Sequence, residues 1–153
     1  MKTKIISVIN QKGGVGKTTT VINLAAGLAN LDKKILVIDL DPQGNATTGL
    51  GHSNVDGNEK NIYNALNGSK NIPEIIQSTQ IDNLDIITSN VDLSGLEVET
   101  AGDNGRAFIL RDKLSLFLKQ NSSNYSHVFI DCPPSLSLLT VMALVVAKSL
   151  IVP

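Results

Sequence analysis

At 153 residues with 42% apolar side chains, the chain is long enough to bury one sizeable core and too short for two independent ones, so a single domain is expected. The 13 Lys and Arg stand against 14 Asp and Glu, leaving a net charge of -1; this excludes a chain drawn to nucleic acid or an anionic membrane by overall charge, though not one with a local basic patch. Its one cysteine, Cys132, can neither close an internal disulfide nor make a metal site alone, which fits a reducing intracellular setting.

In chain order, Ile5, Ile6, Val8 and Ile9 form a β-branched run that ends at Asn10 and Gln11, with no apolar segment long enough for a signal peptide. Glycines at 13, 14 and 16 follow, so a buried strand runs into a tight loop. Lys17 to Leu31 reads as a helix, with Val21, Leu24, Ala25, Leu28 and Leu31 at helical spacing, stopped by Asp32-Lys33-Lys34. Ile35 to Ile38 is a second strand, ended by Asp39-Leu40-Asp41-Pro42, and strand, helix, strand makes one parallel unit. From Gly44 to about Asn71 the spacing predicts loops with short helices around 62–66 and 72–76. Asn83 to Thr88 reads as a third strand, Asp92 to Thr100 as a short helix, and Arg106 to Lys119 as an amphipathic helix with Leu110, Leu114, Phe117 and Leu118 on one face.

Val128-Phe129-Ile130 then runs into Asp131 as a fourth strand. Leu136 to Ala147 is a helix too short, and interrupted by Ser137 and Thr140, to supply the roughly 20 apolar residues that cross a bilayer. Leu150 to Val152 is a fifth strand. Alternation of strands and helices predicts an α/β domain, a parallel sheet with helices on both faces. Because the sequence stops on an apolar strand, residues 1–153 are expected to be the N-terminal piece of a longer domain.

The chemistry concentrates in the glycine-rich loop. A phosphate loop needs glycines so that backbone N–H groups can turn inward, a lysine to reach terminal phosphates and a hydroxyl for Mg2+; Gly14, Gly16, Lys17 and Thr18 meet that need. Gln11 stands where the usual pattern has glycine, and Lys12 precedes the glycines. The bland alternative, a tight turn between solvated lysines, is weakened by the strand before and the helix after. Asp39, Asp41 and Asp131 sit at strand ends, where open α/β sheets bind ligands; turn or N-cap aspartates are the alternative. Cys132 is most simply a small buried side chain, and His52 and His127 read as surface or loop residues without a metal role.

Lys12-Gly13-Gly14-Val15-Gly16-Lys17-Thr18-Thr19 resembles the deviant Walker A motif of the ParA/MinD ATPases. Residues 38–45, 89–97 and 128–135 resemble that family's other motifs in the same order, and Asn10-Gln11-Lys12 with 41–45 is most similar to its chromosomal, Soj-type members. The resemblance implies a P-loop NTPase fold, with Gly13, Gly14, Val15, Gly16, Lys17, Thr18 and Thr19 holding the phosphates of ATP. It further implies that Lys12 reaches a partner's nucleotide across a dimer, that Lys17 and Asp41 join it in catalysis, Asp41 by positioning or activating water, and that Thr18 and Asp131, with Asp39 as a further candidate, serve Mg2+. By the same resemblance the protein would be an ATP-hydrolysing dimerisation switch in chromosome or plasmid partition, cytoplasmic and nucleoid-associated, with a ParB-type (Spo0J-type) partner and non-specific DNA in the full-length protein, and no membrane. A MinD-like division-site ATPase and a truncated, non-hydrolysing nucleotide-binding remnant are the alternatives. The iron-sulfur relatives use several cysteines, which one Cys132 does not match.

Overall fold

The computed structural model describes residues 2–9, 16–53, 59–120 and 125–153. In chain order its elements are β1 (Lys4–Val8), α1 (Lys17–Ala29), β2 (Ile35–Asp39), α2 (Asn45–Gly49), α3 (Ile62–Leu66), α4 (Ile72–Ile75), β3 (Ile76–Ser78), β4 (Leu84–Ile87), α5 (Leu96–Glu99), α6 (Ile109–Gln120), β5 (His127–Asp131), α7 (Leu138–Val146) and β6 (Ser149–Ile151). Single 3-10 turns at Val91–Gly95 and Arg106–Phe108 lead into α5 and α6.

The strands join one sheet of order β3-β4-β2-β5-β1-β6. The pairs of β2, β4, β5, β1 and β6 are parallel, as the alternation of elements predicts. One edge departs from that expectation, because β3 runs antiparallel to β4. Its Ile-Gln-Ser follows α4 without a break, and one apolar residue followed by two polar ones carries no strand signal. The helix α2 likewise falls where the sequence predicts loop.

Alternate residues of each central strand go to opposite faces. Ile35, Val37 and Phe129 face α1 and α2, while Leu36, Ile38, Val128 and Ile130 face α3 to α7. Both faces are therefore buried, which is why these strands read as unbroken apolar runs. The seam of α1 is Val21, Ala25 and Ala29, four residues apart and buried, and its small side chains let the helix lie close to the sheet. Leu24 and Leu31, expected on that seam, are 39% and 69% exposed; the helix ends at Ala29, and Asp32 turns the chain with a φ of 62°, so the period does not carry through to Leu31.

Chain order and strand order differ where it matters. β5 lies between β1 and β2, α1 leaves β1 on one face, and α7 follows β5 on the other. Connections that part in this way leave a crevice at the carboxyl ends of the strands, the usual ligand position in open α/β sheets.

Candidate functional site

Val8, Asp131 and Asp39 end three adjacent strands, with Val8 and Asp39 each in register with Asp131. Gly16 precedes α1 in the left-handed conformation, φ 84°, which a residue with a side chain would hold only under strain. The first helical bond of α1 is Thr20 N–H to the Gly16 carbonyl, 2.8 Å. The amides of Lys17, Thr18 and Thr19 lie ahead of it, outside the helix's own ladder, and the positive end of the helix dipole points the same way. An anion is favoured there. Lys17 is buried and Thr19 is exposed. Lys12, Gly13, Gly14 and Val15 lie outside the described residues.

Thr18 Oγ1 donates to Asp131 Oδ2 at 2.7 Å, joining residues 113 apart in sequence. Asp131 Oδ1 is buried and has no hydrogen-bond partner among the described residues. An unsatisfied carboxylate oxygen in a protein interior is costly, and a cation or a water bound to one would satisfy it. Burial pushes the Asp131 carboxyl up to about 6; the Thr18 bond opposes this, the Asp41 charge adds to it and Lys17 opposes it. These residues suit Mg2+, which is commonly held by one or two protein groups together with phosphates and waters. Among the described residues no three His, Cys, Asp or Glu side chains come together as a cage of their own.

Asp39 stands apart from the other metal candidates. Its Oδ1 accepts from Asp41 N–H at 3.1 Å, and its Oδ2 accepts from Thr47 N–H at 2.8 Å and Thr47 Oγ1 at 2.7 Å. Both oxygens are engaged by protein donors, an arrangement that matches the turn-aspartate alternative. Burial raises its carboxyl to about 7, opposed by the Thr47 hydroxyl and reinforced by Asp131. Asp41 is 6% exposed, and its Oδ1 accepts from Gln43 N–H at 3.0 Å. The Asp41 carbonyl accepts from Gly44 N–H at 2.8 Å and from Ser89 Oγ at 2.7 Å.

Sequence reasoning missed Thr47 and Ser89, which are both buried beside these carboxylates. The available signals were a hydroxyl pair, Thr47-Thr48, just past the second carboxylate loop, and a serine just past a strand that ends at the crevice. Cys132 is fully buried, with its thiol raised to about 12 by burial first and Asp131 next. His52 Nε2 lies 2.7 Å from the Ser78 carbonyl. His127, read as a surface or loop residue, is half-buried at the start of β5 and stacked on Phe129. A cleft of about 950 Å3 lies at the opposite, amino end of the strands beside Lys33, Lys34, Arg111 and Lys148, and none of the strand-end carboxylates lines it.

The sequence matches the family described as AAA domain (AAA_31) over residues 3–153. It is 45% identical over 150 residues to the sporulation initiation inhibitor protein Soj of Bacillus subtilis, covering 98% of this chain and 57% of that protein. It is also 45% identical over 152 residues to the chromosome partitioning protein ParA of Myxococcus xanthus, covering 98% and 51%. The chain thus spans about half the length of the curated relatives it matches. Among solved structures, the cobyrinic acid a,c-diamide synthase of Mycobacterium smegmatis with bound ATP analog and magnesium superposes with a TM-score of 0.91 at 36% identity, over 99% of this chain and 60% of that one. A putative plasmid partition protein of Borrelia burgdorferi bound to AMPPNP gives a TM-score of 0.82 at 30% identity, over 100% and 63%.

Proposed function

Since the chain belongs to the AAA_31 domain family and, within the P-loop NTPases, to the ParA/MinD group, we propose that it binds Mg-ATP at the carboxyl ends of β1, β2 and β5 and hydrolyses it as a ParA-type partition ATPase. The observation that carries this reading is the bond from Thr18 to Asp131 beneath the start of α1, with the second Asp131 oxygen left unsatisfied. Gly16, the first amides of α1 and Lys17 would hold the phosphates, with residues 13–15 completing the loop. Thr18 and Asp131 would hold Mg2+, Asp131 through water, and the bound ion would neutralise charge on the terminal phosphates. Asp39, its oxygens engaged by Thr47 and Asp41, supports the loop instead of the ion.

Phosphoryl transfer to water asks the protein mostly for positioning and charge. Asp41 would orient the attacking water and take its proton on the side-chain carboxylate. Lys17 would bring positive charge from its own protomer, and Lys12 from a second copy. The ATP-dependent homodimer, the ParB-type partner, non-specific DNA binding and a place on the bacterial nucleoid in the cytoplasm belong to the same proposal, of which the Soj and ParA relatives support the partition context. No described helix is long and apolar enough to cross a membrane.

Mg-dependent phosphate release tests the reading, measured on this chain and, with matching substitutions, on a full-length relative. Lys17→Ala should weaken ATP binding by at least about 10-fold, the loss of a charge-assisted contact. Asp41→Ala should keep ATP binding and lower kcat by about 100-fold or more. Unchanged ATP affinity in the first, or normal turnover in the second, overturns the assignment of that residue.

A further inference from the structure

The backbone that carries Asp41 is fastened on both sides. Its N–H donates to Asp39 Oδ1 (3.1 Å) and its carbonyl accepts from Ser89 Oγ (2.7 Å). Those two anchors are tied to one another through Thr47, whose hydroxyl donates to Asp39 Oδ2 (2.7 Å) and accepts from Ser89 N–H (3.0 Å). The four residues make a closed ring of hydrogen bonds joining the end of β2, the loop after it, α2 and the segment after β4. All four are buried: Asp39 and Thr47 are 0% exposed, Ser89 1% and Asp41 6%. Within a low-dielectric interior such a ring is rigid when every member is satisfied.

From this ring we infer that Ser89 and Thr47 are positioning residues for hydrolysis, setting where the Asp41 carboxylate stands without touching nucleotide themselves. The inference rests on the role proposed above for Asp41. A carboxylate that must meet one water in line with a phosphoryl group loses rate steeply when displaced, by up to about 100-fold for 1 Å. Binding of the phosphates depends on the loop before α1 and on Lys17, none of which belongs to the ring. Loosening the ring therefore separates turnover from affinity. Removing the Ser89 hydroxyl leaves the Asp41 carbonyl its bond from Gly44 N–H, so Ser89→Ala orphans no acceptor there. Thr47→Val keeps the shape of the side chain but takes the acceptor away from Ser89 N–H and a donor away from Asp39, whereas Thr47→Ser keeps the hydroxyl.

The test compares kcat and the Kd for a non-hydrolysable ATP analogue in a full-length relative carrying Ser89→Ala, Thr47→Val, Thr47→Ser, Asp41→Ala and the double change Ser89→Ala with Asp41→Ala. We expect kcat to fall about 10-fold in Ser89→Ala and Thr47→Val, with the analogue Kd within about 2-fold of the starting value. Thr47→Ser should restore turnover. Adding Ser89→Ala to Asp41→Ala should cost no further rate, because an anchor has nothing left to position. Wild-type kcat in Ser89→Ala while Asp41→Ala is inactive overturns the inference alone, and so does a further loss in the double variant. Normal turnover in Asp41→Ala overturns the underlying reading instead. Should Thr47→Val not fold, Ser89→Ala and the double variant decide.

Discussion

β2 and β5 each contain two unlike regions. Their bodies, Ile35 to Ile38 and Val128 to Ile130, are apolar and almost wholly out of solvent. Their last residues, Asp39 and Asp131, are as deeply buried, 0% exposed, yet are paired in register as carboxylates. One body stabilises the fold by removing apolar surface from water; the tip it carries costs stability, because burial and a neighbouring like charge both oppose ionisation. The contrast shows a division of labour along a single strand. Strand bodies hold the sheet together, and the stability they supply offsets the cost of a buried carboxylate end.

The sharpest way to break this comparison is in the body. Phe129, 1% exposed in the core on the α1 side, should cost about 3–5 kcal/mol when truncated to Ala, read as a shift in the urea midpoint. A loss below about 1 kcal/mol would mean that the strand bodies carry less than their burial implies.

The next effect is in the tips and has the opposite sign. Unfolded, both carboxyls titrate near 3.8; folded, Asp131 titrates at about 6 and Asp39 at about 7. A folded value above the unfolded one means that the native protein keeps a proton which the unfolded chain has released. The contribution is therefore fully present below about pH 4 and is lost as the pH rises through the folded values towards about 7. Without nucleotide or Mg2+, Asp131→Asn should flatten the lower part of this decline and raise stability at pH 7 by on the order of 1–2 kcal/mol, while abolishing Mg-dependent turnover. Urea midpoints of both proteins at pH 5 and pH 7.5 check it, and a destabilised Asp131→Asn at the higher pH would contradict the costly-tip account.

The smallest effect sharpens the boundary between the two regions. Ile38 adjoins Asp39 in sequence but faces the opposite core, 0% exposed. Ile38→Val should cost about 1 kcal/mol and leave kcat unchanged. A drop in turnover there would show that body and tip are mechanically coupled.

Much of the fold was legible in the sequence because apolar period is a local property. The strands around 5–9, 35–38, 83–88, 128–131 and 150–152 all formed within a residue or two of their expected bounds, and 62–66 formed as the short helix expected. The antiparallel β3 and the helix α2 were not legible, since Ile-Gln-Ser and Asn-Ala-Thr-Thr-Gly carry no apolar run or period, unlike the equally short β6 and α3. Of the candidate site, Lys17, Thr18, Asp41 and Asp131 were readable as candidates from residue type and position at a strand end or helix start. Thr47 and Ser89 were not, because a hydroxyl's importance lies in its partner, and the partners of Ser89 lie 42 and 48 residues away.

Side-chain type and spacing suffice to place most of the strands and helices, β3 and α2 excepted, and to set a glycine-rich stretch with Lys17 and Thr18 between the first strand and the first helix. The insertion of β5 between β1 and β2, which brings Asp131 against Thr18 and beside Asp39, and the ring that Thr47 and Ser89 close around Asp41 come from the packing of the folded chain. Strand order and register depend on how two apolar faces are covered at once by helices distant in sequence, and no local period encodes that.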